Sequence, residues 1–109
     1  MSISIDDFSK VELKVGRITS IEDIPQARNP MYKLMIDFGD GVTKQCVGGI
    51  KPFYTPEQLV GRQVIAVMNL LPKSVAGVVS EVMMLAAFDE VSVSLLLPDK
   101  EMPLGTRVG

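Results

Sequence analysis

Between Met31 and Val47 the chain reads "MYKLMIDFGDGVTKQCV", with Leu34, Ile36 and Phe38 alternating with Lys33, Met35 and Asp37. A strict period of two is the mark of a half-buried β-strand, because successive side chains leave opposite faces of the backbone. "GDG" at 39–41 supplies a turn, so the segment reads as a hairpin. Short apolar runs cut by Gly and Pro recur further on, in "QVIAVMNL", "EVMMLAAF" and "VSVSLLL". They read as further core strands, and the chain as mainly β.

The first strand is more complex. In "VELKVGRITSIEDI", Val11, Leu13 and Val15 share a face, but Ile18 and Ile21 fall out of that phase. Gly16 sits at the slip, where a bulge or sharp bend would place a glycine. A long strand bent at its middle can serve two edges of a small barrel. Helical signals are few. "IDDFSK" (5–10) predicts one or two turns capped by Ser4 or Asp6. "TPEQLVG" has Thr55 as N-cap, Pro56 at the first helical position, Glu57 and Gln58 in the first turn and Gly61 as the stop. The end, "PDKEMPLGTRVG", reads as an extended tail. About five short strands, a bent first strand and a helix between strands three and four suggest an OB-like Greek-key barrel. Composition leaves other small barrels open.

A length of 109 residues suits one domain, and 47% apolar against 22% charged residues is a foldable composition. No apolar run approaches the roughly 20 residues that span a bilayer. "MSISIDDFSK" lacks the apolar stretch of a signal peptide, so the protein reads as cytoplasmic, with no membrane insertion. The chain has no histidine and one cysteine, Cys46. This excludes Ser-His and Cys-His nucleophiles, an internal disulfide and a Cys-rich zinc site. There is no P-loop and no G-x-G-x-x-G. Asp37 and Asp40 read as turn residues, Asp6 and Asp7 as helix-start residues, and Cys46 as a buried small hydrophobe. The expectation is a protein that is not an enzyme, with no metal and no cofactor.

What remains is binding. The net charge of −2 disfavours a broad phosphate-binding surface, although Arg28, Lys33, Lys44 and Lys73 come from strand edges or loops and several could share a face. Scattered lysines are by default ordinary solvated charge. Stacking platforms for single strands are few, with four Phe, two Tyr and no Trp. Seven methionines are the other unusual feature; Met35 and one of Met83 or Met84, if turned outward, would make an adaptable surface of the kind peptide binders use. Between two apolar runs lies "NLLPKSVAGVVSEVMM", a connection with more polar residues than a hairpin needs.

At "DDFSKVELKVGRI", "YTPEQLVGR" and "NLLPKSVAGVVSEVMMLAA" the chain resembles the tRNA-binding OB module found beside methionyl- and phenylalanyl-tRNA synthetases. Along "PQARNPMYKLMIDFG", "AGVVSEVMML" and "LLLPDKEMPLGTRV" it is similar to the CsaA group of export-related chaperones within that family. The resemblance implies an OB barrel with an N-terminal helix, and a homodimer joined through N- and C-terminal extensions. It also implies a groove for unfolded or pre-secretory polypeptide, the translocation ATPase as a candidate partner, and tRNA as the alternative ligand. Positions that match the family's binding segments are Asn69, Lys73, Gly77, Ser80, Glu81 and Met83, with Arg28, Asn29 and Lys33 on the facing hairpin. Members devoted to tRNA read Asn-Leu-Lys-Pro-Arg-Lys where this chain has "NLLPKS", so Leu71 and Ser74 stand in place of two cations. Val82 replaces a glycine and Gly48 a serine. Each lost cation removes a phosphate contact. The expected contact set is thus Arg28, Asn29, Lys33, Met35, Lys44, Asn69, Lys73, Ser80, Glu81 and Met83.

Overall fold

In the computed structural model, which describes residues 1–109, ten short strands and two short helices form a small barrel with a hairpin standing off it. The elements are α1 (Ile5–Ser9), β1 (Leu13–Asp23), β2 (Tyr32–Asp37), β3 (Thr43–Gly48) and α2 (Pro56–Leu59). They continue as β4 (Gln63–Val67), β5 (Lys73–Val75), β6 (Val78–Ser80), β7 (Met83–Met84), β8 (Ala86–Phe88), β9 (Val93–Leu95) and β10 (Arg107–Val108). The main sheet runs β3-β2-β1-β4-β7, all antiparallel, with β10 added to β1. The β5–β6 and β8–β9 hairpins form separate two-stranded ribbons. The barrel, its N-terminal helix and the helix between the third and fourth strands agree with the OB reading.

The β2–β3 hairpin is as the alternation required. Leu34, Ile36 and Phe38 are buried, and positive φ at Gly39, Asp40 and Gly41 makes the turn, with Asp37 accepting a bond from the Gly39 N–H at 2.8 Å. Ser4 caps α1 by accepting from the Asp7 N–H at 3.0 Å. In α2, the Gln58 side chain accepts from the Thr55 N–H at 2.8 Å, and Gly61 ends the turn at φ +87°.

The phase slip in β1 has a different cause from the one expected. The pairing with β4 is regular from Leu13 to Arg17, so there is no bulge at Gly16; the register shift falls between Ile18 and Ser20. Leu13 and Val15 face outward and are buried apart from the main core, on a side where the C-terminal segment is bonded to β1 and β4. That segment is held by Gln63, whose side chain donates to the Met102 carbonyl and accepts from the Met102 N–H, and by the Gly105 N–H on the Val15 carbonyl. Gly16 and Ile18 face the interior, and the bulge at Thr19 turns Ile21 inward as well. Gly16 is required by close approach: a Cβ there would lie 2.6 Å from Ile36 Cγ2 and 2.7 Å from a Phe38 ring carbon.

"EVMMLAAF" is not one core strand either. It breaks at Leu85, whose N–H bonds the Ile65 carbonyl, and its second half leaves the barrel with Phe88 exposed. The interior cluster comprises Ile18, Leu34, Ile36, Leu59, Val64 and Ala66, among others, with Val82 inserted from the far side.

Candidate functional site

The sheet path leaves β7 and β3 unpaired with each other, and the segment from Val79 to Val82 spans this gap. Its closure relies largely on side chains. The Glu81 N–H donates to the Gln45 carbonyl at 2.8 Å, and the Glu81 carboxylate accepts from the Gln45 N–H at 2.9 Å. Ser80 Oγ accepts from the Val47 N–H at 3.0 Å, and Gln45 Nε2 donates to the Val79 carbonyl at 2.8 Å. Ser and Glu are therefore required here because a short polar side chain and a longer carboxylate reach adjacent strand donors that would otherwise be unpaired.

Beside this seam opens a cleft of about 710 Å³. One wall is the end of β3 and its continuation, Cys46 to Ile50; the other is formed by Leu70, Leu71, Lys73 and Val75. Ser80 to Met84, Met31, Ala86 and Leu95 complete it, and 12 of its 17 lining residues are hydrophobic. The wall is firmly set. The Tyr54 hydroxyl accepts from the Leu95 N–H at 3.0 Å, the Tyr32 hydroxyl donates to the Tyr54 carbonyl at 2.7 Å, and Gln26 ties the β1–β2 loop to the β5–β6 turn through the Ala76 carbonyl at 3.0 Å. Leu71 is 91% exposed and Met83 49%, so apolar surface is presented to solvent at the mouth.

Charge in the cleft is sparse. Lys73 has no carboxylate partner, whereas Glu81 is engaged by Gln45. Cys46 lies at the floor, 2% exposed. Burial pushes its thiol above the ordinary cysteine value, opposed by hydrogen bonds from the Met84 backbone and Ser80. A neutral, shielded thiol matches its reading as a small hydrophobe.

The expected contact residues divide. Lys73, Ser80, Glu81 and Met83 line the cleft. Arg28 and Asn29 are exposed on the loop between β1 and β2, shortly before Met31, which does line it. Lys33, Met35 and Lys44 lie on β2 and β3 outside the cleft, and Lys33 is paired with Glu22 at 2.9 Å. Met35 therefore does not line the cleft with Lys73 and Met83. Asn69 is outside too: its amide donates to the Lys10 carbonyl at 2.6 Å and accepts from the Glu12 N–H at 2.9 Å, clamping the end of α1 to the end of β4. The sequence reading missed Leu70, Val75 and the Val47–Ile50 wall as contact surface. Their only signals were Leu71 beside Leu70, a leucine where a cation is expected, and the Gly-Gly pair at the end of β3.

A family described as a putative tRNA binding domain matches residues 13–107. The chain belongs to this tRNA-binding domain family. Among solved structures, the chaperone CsaA of Bacillus anthracis superposes on the domain with a TM-score of 0.94 at 40% identity, each chain covered in full. The CsaA chaperone protein of Picrophilus torridus gives 0.91 at 38%, over 99% of this chain and all of that one. A MetRS-related protein of Pyrococcus horikoshii gives 0.91 at 35%, over 100% and 99%. Methionine–tRNA ligase of Methanococcus aeolicus is 46% identical over 97% of this chain, which spans only 15% of that ligase. The protein is thus a CsaA-like tRNA-binding-type OB domain, similar along its whole length to free-standing chains and to one segment of a much longer enzyme.

Proposed function

We propose that this protein is a CsaA-like chaperone that binds extended, partly apolar segments of unfolded or pre-secretory polypeptide in the cleft beside the seam, in the cytoplasm and without catalysis. The observation that carries this is the cleft lining, mostly hydrophobic with Lys73 as its single cation. Such a surface binds by burying apolar side chains, at roughly 25 cal/mol per Å² before the costs of ordering the ligand. The loop that carries basic residues in tRNA-devoted relatives here presents Leu71 to solvent. In this reading Lys73 and Met83 touch the ligand, Ser80 and Glu81 hold the wall, and Asn69 steadies the N-terminal helix.

A homodimer fits the same reading. α1 buries none of its residues, with Ile5 75% exposed, and Phe88 and Val91 stand out on the β8–β9 hairpin. Apolar ends of this kind are ordinarily covered, most often by a second copy.

A specific observation favours tRNA as the second reading: Arg28, Lys44 and Lys73 have no carboxylate partners and remain available to phosphates. The two ligands separate in one experiment. The purified protein is titrated with a reduced, carboxymethylated protein and, in parallel, with tRNA at low and moderate salt. The chaperone reading expects saturable binding of the unfolded chain that tolerates salt and weakens several-fold on Leu71→Asp without a change in unfolding midpoint. No binding of the unfolded chain, together with tRNA binding that falls steeply with salt, overturns it in favour of the second reading.

A further inference from the structure

β3 ends in an open strand edge. The N–H groups of Gln45 and Val47 point away from β2, because they donate to Glu81 and Ser80 across the seam. A residue's N–H and C=O leave a strand on the same side, and the side repeats every second residue. The Val47 carbonyl therefore points into the gap, and Gly49 follows it where the chain bends just past the end of β3. No hydrogen bond within the chain engages the Val47 carbonyl or the N–H and carbonyl of Gly49. Both residues line the cleft, and Gly49 is exposed.

Proteins ordinarily blunt such an edge with a charge, a proline or a covering element. Here the edge reads Val47-Gly48-Gly49-Ile50, uncharged and flanked by apolar surface. The side chain that could obstruct it, Met31, approaches only to 3.9 Å of where a Gly49 Cβ would stand. The Val47 carbonyl also lies two residues along from the Gln45 carbonyl, which already accepts from the Glu81 N–H, so it extends a ladder that is occupied.

We propose that polypeptide enters the cleft as an added β-strand on this edge, bonding Val47 and Gly49 through its main chain, with an acidic side chain set against Lys73. This rests on the polypeptide reading of the cleft and specifies how the ligand is held. An extended backbone offers the alternating acceptor and donor that one N–H and two carbonyls require, whereas phosphates offer acceptors alone. Alternate ligand side chains then point into the apolar wall, so every second residue should be hydrophobic. Lys73 is the cleft's cation without a carboxylate partner, and Glu81 is already engaged, so the complementary charge on the ligand is negative.

The test uses a fluorescein-labelled synthetic peptide of alternating apolar and polar residues with one glutamate, and a series methylated at one backbone nitrogen at a time. Anisotropy should show binding of the parent, loss of up to about tenfold at alternate nitrogens, and little change at those between, since one net hydrogen bond is worth about 0.5–1.5 kcal/mol. In the protein, Gly49→Pro removes the N–H and should weaken binding similarly. Replacing the peptide's glutamate by glutamine, or Lys73 by Met, should each cost several-fold, and the two together no more than either. A parent peptide that binds equally well with any nitrogen methylated overturns strand addition and leaves polypeptide binding standing. A parent peptide that fails to bind while reduced, carboxymethylated protein does bind overturns the strand and charge rule. Failure of both ligands overturns the cleft reading and the proposal with it.

Discussion

Gly16 shows how a single missing side chain permits the barrel to close. A methyl group there would meet Ile36 and Phe38 inside van der Waals contact, and both neighbours belong to the packed interior. Gly16→Ala is therefore expected to lower stability by about 1–3 kcal/mol, the range for overpacking a core, measured as a shift in urea midpoint at constant slope. Cys46 gives a prediction of pH dependence. Its thiol value is raised in the folded state, so the unfolded chain loses its proton first as pH rises. The contribution is fully present below the unfolded value near 9.0 and is lost from there upward to the folded value. Stability measured from neutral pH to above 9 should fall more steeply for the native protein than for Cys46→Ala, and thiol reagents at pH 8 should react with Cys46 far faster after unfolding.

The elements differ in how readable they were. β2 and β3 were legible because one face is buried and the other is not, so the period of two survives in Leu34, Ile36 and Cys46. β1 was legible as a strand but not in its bend, because it buries Leu13 and Val15 on one face and Ile18 and Ile21 on the other; two cores in one strand imitate a bulge at Gly16. The site was half legible. Lys73, Ser80, Glu81 and Met83 stood out as polar or sulfur-bearing residues in an apolar context, whereas the Val47–Ile50 wall carries no conspicuous side chain and was marked only by its paired glycines. Asn69 was misleading for a related reason: a conspicuous amide between strands is as suited to clamping two chain segments as to holding a ligand. The seam yields its own prediction. Glu81→Ala leaves the Gln45 N–H without its acceptor and should cost about 1–3 kcal/mol, whereas Glu81→Gln retains an acceptor oxygen and should recover most of the loss.

At the scale of the whole molecule, apart from the apolar residues at the cleft mouth, exposed apolar side chains gather in α1 and in the β8–β9 hairpin and the residues just after it, where Leu96 and Leu97 are also exposed. If a second copy covers them, Ile5→Asp or Phe88→Asp should halve the mass seen by light scattering at micromolar concentration while leaving circular dichroism unchanged; a wild-type monomer under those conditions overturns the dimer. Lys33 and four other cations are already paired within the chain. Fewer than the full eleven are thus free to meet phosphate, and the salt slope for any RNA should be correspondingly shallow.

The seam has a mechanical consequence. A barrel stitched by continuous backbone pairing opens only by peeling a strand, whereas this one is latched at Gln45 and Val47 by a carboxylate and a hydroxyl. Side chains can swing by rotamer change while the strands they join stay folded. The gap beside the cleft can therefore breathe independently of global unfolding, and the Gln45 and Val47 amides should exchange with deuterium far sooner than those of Leu34 or Ile36. A container whose lid is a latch can be loaded without being taken apart.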